Sequence, residues 1–212
     1  KNLKKFYKYK KPFYGVNCGT FGFLMNKPNI DNLEKKISKS RKTAIDSLSI
    51  NCSYGNGSKK NLIAINEISI FRQSKQTASL NISVGKKQII KNLIGDGVLV
   101  STPAGSTAYN LSVHGPILPL NSGKLAVTPI SPFRPRRWKG KIISNKSLIK
   151  IKNLNSKKRP IAAVADNVEL RNVKSLLIKR NKATNISLLF DNNRSLVKRI
   201  SSEIKRQKSS KR

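Results

Sequence analysis

Between Gly95 and Asn110 the chain sets three contrasting pieces end to end: a carboxylate turn, an apolar strand and a helix start. The turn is Gly95-Asp96-Gly97, the strand Val98-Leu99-Val100-Ser101, and the start Thr102-Pro103-Ala104-Gly105-Ser106-Thr107-Ala108-Tyr109-Asn110. Few folds need all three in that order. Pro103 and Gly105 break the strand at once.

The runs on either side set the class. Short alternating stretches recur at Ala44–Ser53, Leu62–Arg72, Ser79–Val84 and Lys87–Ile94, then at Lys124–Thr128, Ser147–Leu154, Pro160–Ala165, Val168–Val173, Ser175–Lys179 and Asn185–Phe190. Runs of this length with turns between them predict an antiparallel sandwich or a barrel-like sheet. The beginning is different. Residues 1–11 predict the end of a basic helix, with Leu3, Phe6 and Tyr7 at helical spacing and Pro12 as its stop. Phe13–Asn17 predicts a short buried strand, and Cys18-Gly19-Thr20-Phe21-Gly22 a glycine-rich turn. That is one αβ step of a parallel sheet, too little for a domain by itself. Ile30–Ser40 predicts a polar helix or linker. Asp191–Ile204 predicts a closing helix, capped by Asp191 or Asn192, with Leu196, Val197, Ile200 and Ile204 on one face. The expected class is therefore α+β: a partial α/β, Rossmann-like piece over 1–30, an all-β domain over 31–190, and a helix with a basic tail over 191–212.

Charge raises a rival. The chain carries 44 basic and 9 acidic residues, a net charge of +35, which invites a nucleic-acid reading. Lys, Asn and Ile are all abundant and the basic residues are scattered, the pattern of AT-rich codon usage, so no dedicated nucleic-acid partner is expected. Cys18 and Cys52 give neither a disulfide framework nor a metal spacing. No apolar run approaches the roughly 20 residues that span a bilayer, and no signal peptide opens the chain. A cytoplasmic protein with free thiols and no membrane partner is expected.

Scarce carboxylates are informative. Glu67, Asp96 and Asp166 each lie among apolar residues, where an unpartnered carboxylate is costly. Asn66-Glu67 falls mid-strand in the expected pattern. The amide can read a base edge and the carboxylate can take a ribose hydroxyl, or the two can form a plain exposed edge pair. Gly95-Asp96-Gly97 alone predicts a hairpin, with glycine supplying positive φ. Ser106 or Thr107 can cap a helix starting at Ala108, leaving backbone N–H groups for a phosphate or a base and Tyr109 for stacking. A plain cap over a buried tyrosine is the alternative. His114, the only histidine, has no second base or cysteine to make a nucleophilic triad. Phe133-Arg134-Pro135-Arg136-Arg137-Trp138-Lys139 predicts either a phosphate-binding patch, with arginine stacked on Trp138, or a solvated loop.

Taken in order, Gly15-Val16-Asn17-Cys18-Gly19-Thr20-Phe21-Gly22-Phe23-Leu24, Asn66-Glu67 and the run from Gly95 to Asn110 resemble bacterial NAD kinases. The similarity extends from about Phe13 to the end. It implies a phosphotransferase that moves the γ-phosphoryl of ATP, with Mg²⁺, to the adenosine 2′-hydroxyl of NAD. It also implies a homo-oligomer, with a C-terminal helix packing back on the first domain. By the motif match, Asn66 and Glu67 hold the adenosine part and Phe23 lies against adenine. Ser106, Thr107, Ala108, Tyr109 and Ser112 line that subsite, Asp96 meets the nicotinamide end, and Asp166 falls near the 2′-phosphate region, with Asn167 where many members carry Gly. The family's Gly-Gly-Asp-Gly turn does not precede Lys1. A chain given without its natural start is the expectation, so no catalytic residue and no metal ligand is assigned. A catalytically incomplete dinucleotide-binding protein is the alternative.

Overall fold

The computed structural model describes residues 2–19, 22–28, 31–184 and 186–192. In chain order its elements are α1 (Asn2–Phe6), α2 (Leu33–Ser38), β1 (Arg41–Ile45), β2 (Leu48–Tyr54), β3 (Lys59–Ala64), β4 (Glu67–Arg72), β5 (Ala78–Val84), β6 (Lys87–Gly95), β7 (Gly97–Ser101), α3 (Tyr109–Ser112), β8 (Lys124–Ile130), β9 (Lys141–Ser144), β10 (Ile149–Asn153), β11 (Ile161–Ala165), β12 (Val168–Leu170), β13 (Val173–Arg180) and β14 (Ile186–Phe190). They fall into two compact units: Asp46–Ala183, and the chain up to Ile45 together with the segment from Thr184 onward.

In the smaller unit β1 and β14 pair antiparallel, from Arg41 opposite Phe190 to Ile45 opposite Ile186. The strand expected at Phe13–Asn17 is reduced to two isolated parallel bridges, Phe13 with Leu188 and Val16 with Asn26. Buried Asn26 serves here as a polar staple. Its Nδ2 donates to the Leu189 carbonyl at 2.9 Å and its Oδ1 accepts from Asp191 N–H at 3.1 Å. The basic helix expected at 1–11 is one short α-turn followed by a 3₁₀ turn over Tyr7–Tyr9, ended by Lys10 at φ 55. The helix expected over 191–204, and the tail after it, lie outside the described residues from 193 on.

The larger unit consists of two six-stranded sheets, ordered β3-β2-β13-β10-β5-β6 and β12-β11-β4-β7-β8-β9. Every paired strand in them is antiparallel. Alternation explains the core between them. Leu48, Ile50 and Cys52 of β2, Ile149 and Ile151 of β10, and Leu176 and Ile178 of β13 come from one sheet; Ile68, Ile70, Val98, Val100, Leu125 and Val127 come from the other. Their outward neighbours are mostly polar. Strand β7 departs from the alternation, as its composition requires. Val98 and Val100 enter the inter-sheet core, while Leu99 is buried on the opposite face. That second face is covered by the segment holding α3, where Thr128 Oγ1 donates to Asn110 Oδ1 at 2.7 Å.

Three expectations change at the sheet boundaries. The run Leu62–Arg72 is two strands in different sheets, β3 and β4, with Ile65 and Asn66 forming the corner, so Asn66-Glu67 is not mid-strand. Gly95-Asp96-Gly97 is likewise no hairpin: β6 and β7 belong to different sheets. Its glycines answer to close approach, not to positive φ. A Cβ on Gly97 would lie 1.8 Å from the Ile70 carbonyl oxygen, and one on Gly95 2.8 Å from that of Ser131. Strand β9 was not anticipated, and β1 and β2 split the run read at Ala44–Ser53.

Candidate functional site

The site is built where the chain changes sheets. Leaving β3, the backbone bends through Ile65 and Asn66 before β4 begins at Glu67. A corner leaves N–H and C=O groups unpaired, and inside a protein these must find partners. Asp166, at φ 53 in the two-residue turn between β11 and β12, takes the N–H groups. Its carboxylate accepts from Ile65 at 2.9 Å, Asn66 at 2.8 Å and Glu67 at 3.3 Å, while its own N–H donates to the Glu67 carbonyl at 3.1 Å.

Thr102 takes the carbonyls. This wholly buried residue donates its N–H to the Asn66 oxygen at 2.9 Å, and its hydroxyl donates to Ile65 O at 2.7 Å and Asn66 O at 3.0 Å. The same hydroxyl accepts from Gly105 N–H at 3.1 Å. One side chain thus ties the corner to the turn that follows β7. Gly105 is required there, because a Cβ would lie 2.1 Å from the Asn66 carbonyl oxygen.

The helix start differs from its expected form. Ser106 caps nothing: its hydroxyl is buried, donates to Pro103 O at 2.7 Å and accepts from Leu118 N–H at 3.0 Å. Residues 104–107 form a 3₁₀ turn, and α3 begins at Tyr109 with Ala108 before it and no side-chain cap. The hydroxyl of Thr102 instead accepts from Gly105 N–H in the preceding turn. Asn110 is also structural, donating to Pro116 O at 2.9 Å beneath α3.

Tyr109 is half-buried, with its ring 5.8 Å from that of Phe71 at an interplanar angle of 32°. Burial raises its phenol pKa, and the charges of Asp96 and Glu67 raise it further. The phenol therefore stays neutral and able to donate. Asp96 is engaged as well: Arg72 Nε donates to its Oδ1, Arg72 N–H donates to its carbonyl at 2.9 Å, and its own N–H donates to Ile130 O at 3.0 Å.

Asn66, Glu67, Asp166, Asp96 and Tyr109 are thus brought together, with Thr107 and Ala108 on the half-buried turn that leads into Tyr109. Ser112 ends α3 exposed, and His114 is exposed at φ 61. Phe23 belongs to the smaller unit, half-buried in a turn. The arginine stack is relocated: Arg134 and Arg136 lie 5.6 and 5.3 Å from the exposed Phe133 ring, whereas Trp138 packs against the core. Sequence reasoning missed Arg72, Thr102 and Phe71. A threonine between a buried strand and a proline was the available signal for Thr102.

A carboxylate can accept a hydroxyl, an amide can pair with a donor and an acceptor, and a neutral phenol can donate. Among the described residues no three His, Cys, Asp or Glu side chains converge to hold a metal ion, and no helix is long and apolar enough to cross a membrane.

Comparison with known proteins agrees with this chemistry. The family model of the ATP-NAD kinase C-terminal domain matches residues 65–204. The NAD kinase of Zymomonas mobilis is 47% identical over 192 residues, which are 91% of this chain and 74% of that protein. That of Rickettsia bellii is 44% identical over 202 residues, 95% of this chain and 79% of that protein. Among solved structures, yeast NADH kinase complexed with NADH superposes with a TM-score of 0.79 at 22% identity, over 90% of this chain and 57% of that chain. An NAD kinase from Archaeoglobus fulgidus in complex with ATP gives 0.71 at 22%, over 85% of this chain and 69% of that chain. The last two likenesses concern the fold; with the matched domain and the relatives above 40% identity, they leave a plain conclusion, that this chain belongs to the NAD kinase family.

Proposed function

We propose that the chain provides the dinucleotide site of an ATP-dependent NAD kinase, which transfers the ATP γ-phosphoryl group to the adenosine 2′-hydroxyl of NAD and yields NADP. The observation that carries this reading is the Asn66-Glu67 corner, held by Asp166 and Thr102 and facing a turn that ends in neutral Tyr109. In this reading Asn66 meets the base edge and Glu67 accepts a ribose hydroxyl. Thr107, Ala108, Tyr109 and Ser112 line the subsite, and Asp96 faces the nicotinamide end, fixed by Arg72. Phosphoryl transfer depends chiefly on positioning and charge stabilisation, and these residues bind and orient. None of them is assigned as the base that takes the 2′-hydroxyl proton. Mg²⁺ would arrive with ATP and would neutralise phosphate charge.

The parallel bridges at Phe13 and Val16 support assigning the smaller unit to the α/β part of the family fold, with Phe23 against adenine. A homo-oligomer in the cytoplasm completes the reading, and the free thiols of Cys18 and Cys52 suit that compartment.

Titration of the chain with NAD, beside NADP formation from NAD and Mg²⁺-ATP, tests the proposal. Saturable NAD binding, weakened by Asn66→Ala and Glu67→Ala without a change in thermal unfolding, supports the site. NADP formation supports the transfer. A folded chain that binds no NAD refutes the site, and binding without turnover refutes the transfer half for this chain.

A further inference from the structure

We propose that Asp166 is a positioning residue: it acts on the dinucleotide only through the Ile65–Glu67 backbone, whose three N–H groups its carboxylate holds. The proposal rests on the function above and changes one role within it, since the motif match places Asp166 near the 2′-phosphate region as a ligand contact. The geometry points the carboxylate at the protein instead. Oδ1 accepts from Asn66 at 2.8 Å and Glu67 at 3.3 Å, and Oδ2 from Ile65 at 2.9 Å. Three successive N–H groups converging on one carboxylate form a charge-assisted nest, each bond stronger than a neutral one.

Strain at Asp166 supports the same role. A non-glycine residue at φ 53 is uncommon, although Asp and Asn tolerate it better than most. It turns the carboxylate back across the sheet edge, where Asp166 N–H donates to the Glu67 carbonyl at 3.1 Å. On the other side of the corner Thr102 holds the Asn66 carbonyl through its N–H at 2.9 Å and its hydroxyl at 3.0 Å. Both peptide units that flank Asn66 are therefore held, one at Ile65 O and Asn66 N–H and the other at Asn66 O and Glu67 N–H, and the directions of the Asn66 and Glu67 side chains follow from that grip. Releasing the N–H side frees the corner to turn and loosens the aim of the Asn66 and Glu67 side chains.

Asp166→Gly and Asp166→Asn separate this role from direct contact. Glycine takes the left-handed conformation freely but removes the acceptor; asparagine tolerates the conformation and keeps one oxygen. For Asp166→Gly the NAD dissociation constant is expected to rise roughly tenfold or more, with asparagine restoring most of the affinity. NAD and NADP affinities should shift in parallel in both variants. The amides of Ile65, Asn66 and Glu67 should exchange with deuterium faster in Asp166→Gly, while those of Ile68–Phe71 keep their protection. In an Asn66→Ala background Asp166→Gly should cost much less than it does alone, because coupled residues are not additive.

Multiplying effects of Asp166→Gly and Asn66→Ala overturn the proposal. So does a selective change in NADP affinity in Asp166→Asn, the mark of a carboxylate that meets the ligand. If Asn66→Ala leaves NAD binding intact, the adenosine subsite itself fails, and the exchange measurement still decides whether Asp166 holds the corner. Should Asp166→Gly not fold, Asp166→Asn carries the test through its NAD-to-NADP ratio.

Discussion

Gly105→Ala should damage both stability and NAD binding, for a reason visible in three distances. The added methyl carbon would lie 2.1 Å from the Asn66 carbonyl oxygen, 2.4 Å from its carbonyl carbon and 2.6 Å from its Cα. All three are backbone atoms of a corner pinned on both sides, by Asp166 and by Thr102. No flexible side chain can swing away. Carbon–oxygen contacts settle near about 3.3–3.6 Å, so the corner and the turn must separate by about 1 Å. Overpacking of this kind costs about 1–3 kcal/mol. The separation also stretches the Thr102 hydrogen bonds, each worth about 1 kcal/mol. We expect a total of about 3 kcal/mol, and at about 2–4 °C per kcal/mol for a chain of this size the unfolding midpoint falls by about 6–12 °C.

Because the displaced atoms carry Asn66, NAD affinity should fall roughly tenfold in the same variant, the equivalent of about 1.4 kcal/mol of lost contact. Thermal unfolding followed by circular dichroism and calorimetric titration with NAD read the two effects separately. Gly55→Ala is the control. It meets nothing within 4 Å and does not lie in the left-handed region, so it should stay within about 0.5 kcal/mol of the parent. A Gly105→Ala protein that unfolds within a degree of the parent and binds NAD equally well would refute the close approach and the site built on it.

Other expectations are cheaper to check. Burial pushes the Cys52 thiol up to about 12 while Cys18 is exposed, so a disulfide reagent at pH 8 should titrate one thiol in the native chain and two in denaturant. The Tyr14 phenol is pushed up to about 12 by burial, then by its hydrogen bond to Asp191 and that residue's charge. A raised folded-state value favours the neutral phenol, so its contribution is complete below the ordinary value of 10.0 and is lost as pH rises from there toward about 12. The unfolding midpoint of Tyr14→Phe should therefore fall less steeply than the parent's over that window; parallel curves would count against the assignment. NAD binding should depend weakly on salt, since the contacts proposed for it are carboxylates, an amide and a phenol. A steep log–log slope would indicate binding through phosphate contacts to Lys and Arg.

Much of the larger unit was legible because inter-sheet burial imposes a period of two. Leu48, Ile50 and Cys52, or Ile149 and Ile151, mark their inward face in the sequence itself. Alternation carries no information about which sheet a strand joins, and for that reason Leu62–Arg72 read as one strand and Gly95-Asp96-Gly97 as a hairpin. In the site, Glu67, Asp96 and Asp166 stood out because carboxylates among apolar residues need partners. The partners themselves did not. Arg72 reaches Asp96 from a neighbouring strand, and Asp166 reaches backbone N–H groups about a hundred positions away in sequence. Ser106 was misread because a serine before a helix offers the same local signal whether its hydroxyl caps the helix or, as here, anchors a returning loop at Leu118.

The distribution of charge bears on the rival reading of this chain as a general polyanion binder. It carries 44 basic residues, yet residues 61–71, 92–123 and 160–170 contain no Lys or Arg. These are the segments that meet at the corner, the sheet switch and the Asp166 turn. At these positions a long cation could pair with the carboxylates that keep the corner in place. Four carboxylates of the larger unit are engaged within the protein: Asp46 by Arg180 at 2.7 Å and by Asn145 at 2.6 Å, Asp96 by Arg72, Glu169 by Arg171 at 2.8 Å, and Asp166 by the Ile65–Glu67 N–H groups. The basic surface and the site thus follow separate rules. The first is a matter of composition and sets the long-range attraction of anions; the second is a local arrangement of acceptors and donors around the Ile65–Glu67 corner.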